Sequence, residues 1–497
     1  MKLLDFCLAA LSGFLLILAF PKFNVEIVAW AALVPLFWSL RGKSPAQAAL
    51  LGFVAGFAFF TGLLPWIYNV LTQYGHLPGA LSVFSLLMLT GYLALYFSAF
   101  AFVLRWTQAR MEIPETLLAP PLWVSLEYIR GFLFSGFPWE LLGYSQYLTL
   151  PLVQIADLTG VYGVSFLIVL VNAAIYRLFE AFIDRNWKPV HKEILAAGLL
   201  LVLSAAYGYW RLAGMSPENK EGAPVRIALI QANIPQDVKW EPKFQEETLR
   251  TYVDLTLRTR YIFPHLVIWP ETATPFFFQD PFPFQSRILE LSRTMGTHLL
   301  FGSPAYDHKG RETRYYNSAF HISPEGKAAG RYDKIHLVPF GEYAPLSGIL
   351  GFTRDIIGAM GDFQSGDEAI FPELTRQFAD RGARFLVNIT NDAWFGRTAA
   401  PYQHISMAAL RAVENRVPIA RAANTGISGF IHPSGQILQT SEIFTKSILS
   451  GILYLKKRWS FYTQFGDLFS YLCMGFTTIF LLWVRFRRED RVERSRE

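Results

Sequence analysis

What most constrains this chain is a succession of long apolar segments through its first 210 residues. They run at about 4–20, 25–40, 45–71, 80–104, 117–135, 150–178 and 194–210, and one more follows at 468–484. Hydrocarbon offers no water to backbone N–H and C=O groups, so such segments fold as helices that bond internally. Several are long enough to cross a bilayer, which takes about 20 residues. The 25–40 segment is short and is expected to be tilted, extended or interfacial. The first begins like a signal peptide, with Lys2 ahead of an apolar stretch. It ends in "LAFPKFN" without a small-x-small cleavage signal, so it reads as a retained membrane helix. Composition agrees: the chain is 52% hydrophobic and 17% charged, too apolar for an ordinary soluble protein of 497 residues.

The connections carry the orientation. "RGKS" (41–44), "RWTQAR" (105–110) and "RNWKPVHK" (185–192) are basic, whereas "PKFN" (21–24) and "TQYGHLPG" (72–79) are almost uncharged. The positive-inside rule places the basic loops and the N-terminus in the cytoplasm. Seven spans then leave residue 211 outside, and the 468–484 span returns the chain to a tail, "RFRREDRVERSRE", with six arginines. The expected organisation is an N-terminal helical membrane domain over 1–212, an extracytoplasmic domain over 224–456, and a last helix with a basic cytoplasmic tail over 466–497. The net charge of +6 sits in these connections and the tail, which points to membrane orientation and away from nucleic acid. Two cysteines, Cys7 and Cys473, lie inside apolar segments. They exclude a disulfide framework, no Cys/His spacing suggests a metal, and no cofactor is expected.

From residue 224 the texture changes. "VRIALIQ" (225–231), "HLVIW" (265–269), "HLLFGSP" (298–304), "NSAFHIS" (317–323), "FLVNIT" (385–390), "PIARAAN" (418–424) and "ISGFIH" (427–432) read as strands rich in β-branched and aromatic residues. Helical patterns at about 243–260, 283–295, 368–381 and 401–416 fall between several of them. The alternation implies an α/β layered domain of roughly 230 residues.

Within it, "VIWPETATP" sets Glu271 just past a buried strand, where a carboxylate against apolar surface can serve as a general base or simply cap a turn. "RYDKIHLVPFGEYAP" offers Lys334 and, eight residues on, Glu342. That pair can steady a developing oxyanion or form a surface ion pair. "NITNDAWFG" (388–396), with Trp394, reads as a shaping turn beside a site, and Lys239–Trp240 as an aromatic wall. His404 reads as a structural helix residue. In the membrane half Glu127 and Arg130 stand three apart, a spacing that allows pairing on one helix face. Charge at membrane depth marks either a site or an internal structural pair.

"QANIPQDVKW", "VIWPETATP", "YYNSAF", "RYDKIHLVPFGEYAP", "AIFPEL", "LVNITNDAWFG" and "RAANTGISGFI", with "WVSLEYIRG" and "FPWELLGYSQ" earlier, resemble the blocks of the bacterial apolipoprotein N-acyltransferases, in family order. The resemblance covers nearly the whole chain. It implies an eight-helix bundle joined to an extracytoplasmic nitrilase-like domain in the bacterial inner membrane. It implies acyl transfer in two steps, from a phospholipid to a cysteine thiolate and then to the α-amine of diacylglyceryl-modified apolipoproteins. On the resemblance Glu271 is the general base and Lys334 the oxyanion lysine. Glu342 and Glu368 are supporting acids, and Trp240 and Trp394 belong to the substrate pocket.

One block departs from the pattern. In the family a strand and then Cys-Tyr-Glu precede "AIFPEL". Here "SGDEAIFPEL" supplies Glu368 with Gly366 and Asp367 in front of it, so the nucleophile and roughly one strand's length of chain are missing. Ser365 is the nearest hydroxyl. The expectation is a chain of N-acyltransferase descent whose segment near 361–370 is poorly folded or re-paired. The alternative to an enzyme is a catalytically inactive relative that binds lipid and lipoprotein.

Overall fold

The computed structural model describes residues 1–187, 190–215, 222–281, 283–310, 312–334, 363–364, 371–456 and 458–494. Glu342, Ser365, Gly366, Asp367 and Glu368 lie outside the described residues.

The N-terminal half is helical. Among the described residues five helices are long and apolar enough to cross a membrane: Pro45–Leu63, Gly79–Gln108, Val161–Asp184, His191–Ala213 and, near the C-terminus, Leu468–Arg487. The other three expected spans differ for local reasons. Leu3–Leu18 has 16 residues, about 24 Å at helical rise, short of the roughly 30 Å hydrocarbon core. The 25–40 segment is split into a tight turn at Glu26–Trp30 and a helix at Val34–Leu40 with Pro35 in its first turn. Glu115–Arg130 spans 16 residues and carries Pro120 and Pro121 inside. The segment read as one span over 150–178 is broken. Two short turns, Leu150–Val153 and Ala156–Thr159, precede Gly160 at φ +64°, and the long helix starts at Val161.

Glu127 and Arg130 form no ion pair with each other. Each holds the connection that follows their helix: Glu127 Oε1 accepts from the Leu142 N–H at 2.7 Å, and an Arg130 Nη2 donates to the Trp139 carbonyl at 3.3 Å. Both are buried, at 7% and 4% exposure, and act as internal partners of the 131–142 backbone.

The second half is a two-sheet α/β layer. The strands are β1 (Ala223–Gln231), β2 (Leu266–Ile268), β3 (His298–Lys309), β4 (Glu312–Ile322), β5 (Ala328–Asp333), β6 (Phe363–Gln364), β7 (Leu386–Thr390), β8 (Ile419–Ala423), β9 (Gly429–Ile431), β10 (Ile437–Thr440) and β11 (Ser447–Leu455). The larger sheet has the order β11-β1-β2-β3-β4-β5, with β6 paired beside β4; the smaller has β10-β9-β8-β7. β1, β2 and β3 are parallel, as are β7 and β8. Alternation along β1 sends Ile227 and Leu229 against Ala420, Ala422 and Phe430 between the sheets. Ala228 and Ile230 face the Gln245–Arg258 helix layer instead.

The residues around the sequence gap are distributed over both sheets. β6 runs parallel to β4, with Phe363 opposite Tyr315. In the smaller sheet β7 is at an edge among the described residues and only Thr390 of its five residues is buried, while all five of its neighbour β8 are.

One helix joins the halves. Every residue of Ala400–Asn415 except Tyr402 is buried. Gln403 accepts from the indoles of Trp66 and Trp139 at 3.1 and 2.8 Å and donates to the Leu63 carbonyl. Arg411 donates to Tyr144 and Glu414, Glu414 accepts from the Val161 N–H, and Arg416 pairs with Asp157 at 2.7 Å. Charges this deep persist only when paired and hydrogen-bonded, so the helical bundle and the sheet layer are docked in one geometry.

Candidate functional site

Two strand ends and one turn converge on Glu271. β2 ends at Ile268, and Trp269 is fully buried with its indole donating to Thr256. The chain then turns through Pro270, Glu271 and Thr272, which adopts φ +43°. A β-branched residue in that region is a strained exception, and the surroundings must hold it there. One constraint is Gly302: a Cβ there would lie 2.4 Å from the Thr272 nitrogen and 2.6 Å from the Glu271 Cα. Only glycine lets β3 pass this close to the turn.

The Glu271 carboxylate is consequently fixed by three donors. Lys334, the first residue after β5, reaches Oε1 at 2.7 Å, and Asn317 Nδ2 from β4 reaches the same oxygen at 2.6 Å. The Asn391 N–H, just past β7, donates to Oε2 at 3.0 Å. Lys334 is itself set by its backbone N–H, which donates to the Asn317 carbonyl. The side chains of Glu271 and Lys334 are about one-sixth exposed, so the pair is largely buried but keeps some access to solvent.

The sequence-level candidates separate clearly. Glu271 and Lys334 are brought together across 63 residues. Trp240 stands 43% exposed at the end of the short Gln236–Lys239 helix. Trp394 is half-buried on the turn after Asn391 and meets Tyr74 of the helical half edge-on, with centroids 4.9 Å apart. His404 is fully buried and its Nδ1 sits 3.1 Å from Asp392 Oδ1. Arg421 donates to the other Asp392 oxygen at 2.9 Å. These buried charges brace the Asn391–Asp392 turn from behind.

Sequence reasoning missed the amides. Asn317, Asn391, Gln236 and Asn424 all belong to the network: Asn391 Nδ2 donates to Gln236 Oε1 at 2.8 Å, and Asn424 Nδ2 donates to Asn391 Oδ1 at 3.2 Å. Lys239 was legible only as the neighbour of an aromatic. Its ammonium is 1% exposed and donates to Thr272 Oγ1 at 2.6 Å, and burial lowers its pKa from the ordinary lysine range to about 7. Among the described residues no group of three metal-ligating side chains occurs.

The arrangement offers a fixed carboxylate with a lysine held against it, and Trp394 beside the Asn391 turn meets Tyr74 of the helical half. The chain's two thiols are not part of it: Cys7 lies in the Leu3–Leu18 helix and Cys473 in the Leu468–Arg494 helix.

Residues 12–174 match the family model of the apolipoprotein N-acyltransferase N-terminal domain, and residues 226–456 match that of carbon-nitrogen hydrolases. The apolipoprotein N-acyltransferase of Geobacter metallireducens is 46% identical, covering 98% of this chain and 96% of the relative. The alignment runs over 506 positions, more than the 497 residues here, so the relative carries residues that this chain lacks. The enzyme of the same name from Methylococcus capsulatus is 34% identical over 99% of this chain and 98% of its own length. Among solved structures, an amidase from Nesterenkonia sp. is 20% identical, covers 47% of this chain and 91% of its own, and gives a TM-score of 0.35. With both halves matched in order and relatives aligned along nearly the whole length, this membrane-associated chain belongs to the apolipoprotein N-acyltransferase family.

Proposed function

We propose that this chain binds the lipids its family handles, a phospholipid and diacylglyceryl-modified apolipoproteins, without carrying an acyl group through a thioester. One observation carries the reading. The Glu271–Lys334 pair is intact at 2.7 Å, yet no cysteine exists between residues 7 and 473. Thioester chemistry needs a thiolate within reach of the base. What remains is a carboxylate suited to an α-amine, a lysine suited to ester or phosphate oxygens, and aromatic walls for acyl chains. Trp240 and Trp394 are assigned to those walls, and Glu342 and Glu368 to supporting the pair.

The finer topology belongs to the same reading. The chain sits in the bacterial inner membrane with both termini cytoplasmic. The 1–212 and 466–497 segments are membrane-embedded, and the 224–456 domain is periplasmic. Neither cofactor nor nucleic acid takes part. N-acyl transfer is the second reading, favoured by the three-donor geometry at Glu271, which a purely structural carboxylate does not need. It requires a nucleophile other than a thiol, or direct attack by the amine on the phospholipid ester.

Binding of a dye-labelled diacylglyceryl-cysteine peptide with a free α-amine tests the first reading. Glu271→Gln removes a charge-assisted hydrogen bond, worth about 1.5–3 kcal/mol. The expected result is about ten- to a hundredfold weaker binding, with the N-acetylated peptide already weak and indifferent to the substitution. Equal binding by wild type and Glu271→Gln overturns the assignment of the carboxylate to the amine.

A further inference from the structure

A closed circuit of hydrogen bonds runs around Glu271, and one member has no role in the chemistry above. From the carboxylate, Oε2 accepts from the Asn391 N–H. Asn391 Nδ2 donates to Gln236, the first residue of the Gln236–Lys239 helix. At the other end of that helical turn Lys239 Nζ donates to Thr272 Oγ1 at 2.6 Å and lies 3.5 Å from the Glu271 carbonyl oxygen. The circuit closes on the residue where it began.

We propose that Lys239 is a positioning residue that clamps the 270–272 turn and so couples the exposed Trp240 to the direction of the Glu271 carboxylate. The geometry gives three grounds. A lysine at 1% exposure loses its water and must be compensated inside. Its compensation falls on the one non-glycine residue of the turn with positive φ, Thr272, whose conformation needs an external restraint. Gly302 packs closely against the same turn, so both β3 and Lys239 restrain it. The next residue, Trp240, starts from a backbone fixed at both ends of a four-residue helix, and its partly exposed ring lies with its centroid 6.0 Å from Lys239 Nζ. A ligand that displaces the Trp240 ring therefore acts on Lys239 and, through Thr272, on Glu271.

The lowered pKa agrees with this placement: burial disfavours the ammonium, and the Glu271 charge partly offsets it. Protonated or neutral, the nitrogen has hydrogens to donate to Thr272.

The proposal deepens the reading of Glu271 as the polar centre of the ligand cleft, but its test needs no ligand. Hydrogen exchange of the full-length protein in detergent reports the Asn391 N–H through peptides covering 386–395. Lys239→Met is expected to raise exchange there at least tenfold, because Glu271 loses its aim and releases the amide. Peptides from the Phe284–Met295 helix stay unchanged, and Lys239→Arg restores most of the protection. Thr272→Val removes only the accepting hydroxyl and is expected to give the same local rise, which keeps the question open to test if Lys239→Met does not fold. Unchanged exchange over 386–395 in either folded variant, or an equal rise across the whole domain, overturns the proposal. Loss of lipopeptide binding in wild type would refute the proposed function and leave this measurement standing.

Discussion

Incubated with a phospholipid donor, the purified chain is expected to gain no hydroxylamine-labile acyl group between residues 222 and 456. The reason is chemical. An acyl-enzyme needs a nucleophile that attacks at neutral pH. Thiols do so because a few per cent are ionised and the thiolate is intrinsically reactive, whereas a serine hydroxyl needs an adjacent base. Glu271 is already committed to Lys334, Asn317 and the Asn391 N–H. Loss of the nucleophile from a catalytic set lowers turnover by on the order of 10⁶ in the best-measured case. Cys7 and Cys473 lie in the Leu3–Leu18 and Leu468–Arg494 helices, outside the sheet domain, and do not substitute. Intact mass before and after hydroxylamine, with peptide mapping, checks this. An acyl mass that maps to 222–456 and disappears with hydroxylamine contradicts it.

Replacing Arg421 with methionine is expected to destabilise the sheet domain by about 3–5 kcal/mol, the cost of leaving a buried charge without its partner. Arg421 lies in β8 at 0% exposure, donates to Asp392, Asn388 and the Ile427 carbonyl, and lies 3.0 Å from His404 Nδ1. Its removal takes the Arg421 cation away from the Asp392 carboxylate, which is 1% exposed. Little room exists for relief, because the same carboxylate packs against Gly426, where any Cβ would fall 2.1 Å from Oδ2. The damage reaches the cleft: Asp392 follows Asn391, whose N–H holds Glu271. Thermal unfolding in detergent is expected to start about 10 °C lower. The double variant Arg421→Met with Asp392→Leu recovers part of the loss, since it removes both charges. Near-wild-type unfolding of Arg421→Met alone would show that water or a further group compensates Asp392.

Strand positions were legible wherever a buried β-branched run stood alone, as in "VRIALIQ", "HLVIW" and "PIARAAN". β5, "AAGRYD", was not, because four of its six residues are exposed and none is buried. β11 could have been read: Leu449 and Leu453 alternate with exposed Ser450 and Ile452. The break at Gly160 was hidden inside an apolar run. Its cause is tertiary, since Gln154 and Asp157 turn toward Arg416 of the other half instead of continuing a helix. The expected Glu127–Arg130 pair failed similarly, because each found a backbone partner in the 131–142 connection.

For the site, Glu271 was visible because a charged residue just past an apolar strand is conspicuous, and Lys334 through the block "RYDKIHLVPFGEYAP". The amides that aim them were not. An uncharged Asn gives no signal of its own, and Asn391 meets Glu271 across 120 residues. Lys239 read as a companion of Trp240, since nothing in "DVKW" reveals that its ammonium turns inward.

The most direct measurement is mass spectrometry of a diacylglyceryl-cysteine peptide incubated with this chain and a phospholipid in nanodiscs, with binding followed in the same sample. The expected result is retention of the peptide by the protein at unchanged peptide mass. A peptide that gains one fatty acyl chain on its α-amine, at a rate above protein-free nanodiscs, would contradict a binding role and establish transfer by a route that needs no thiol in the sheet domain.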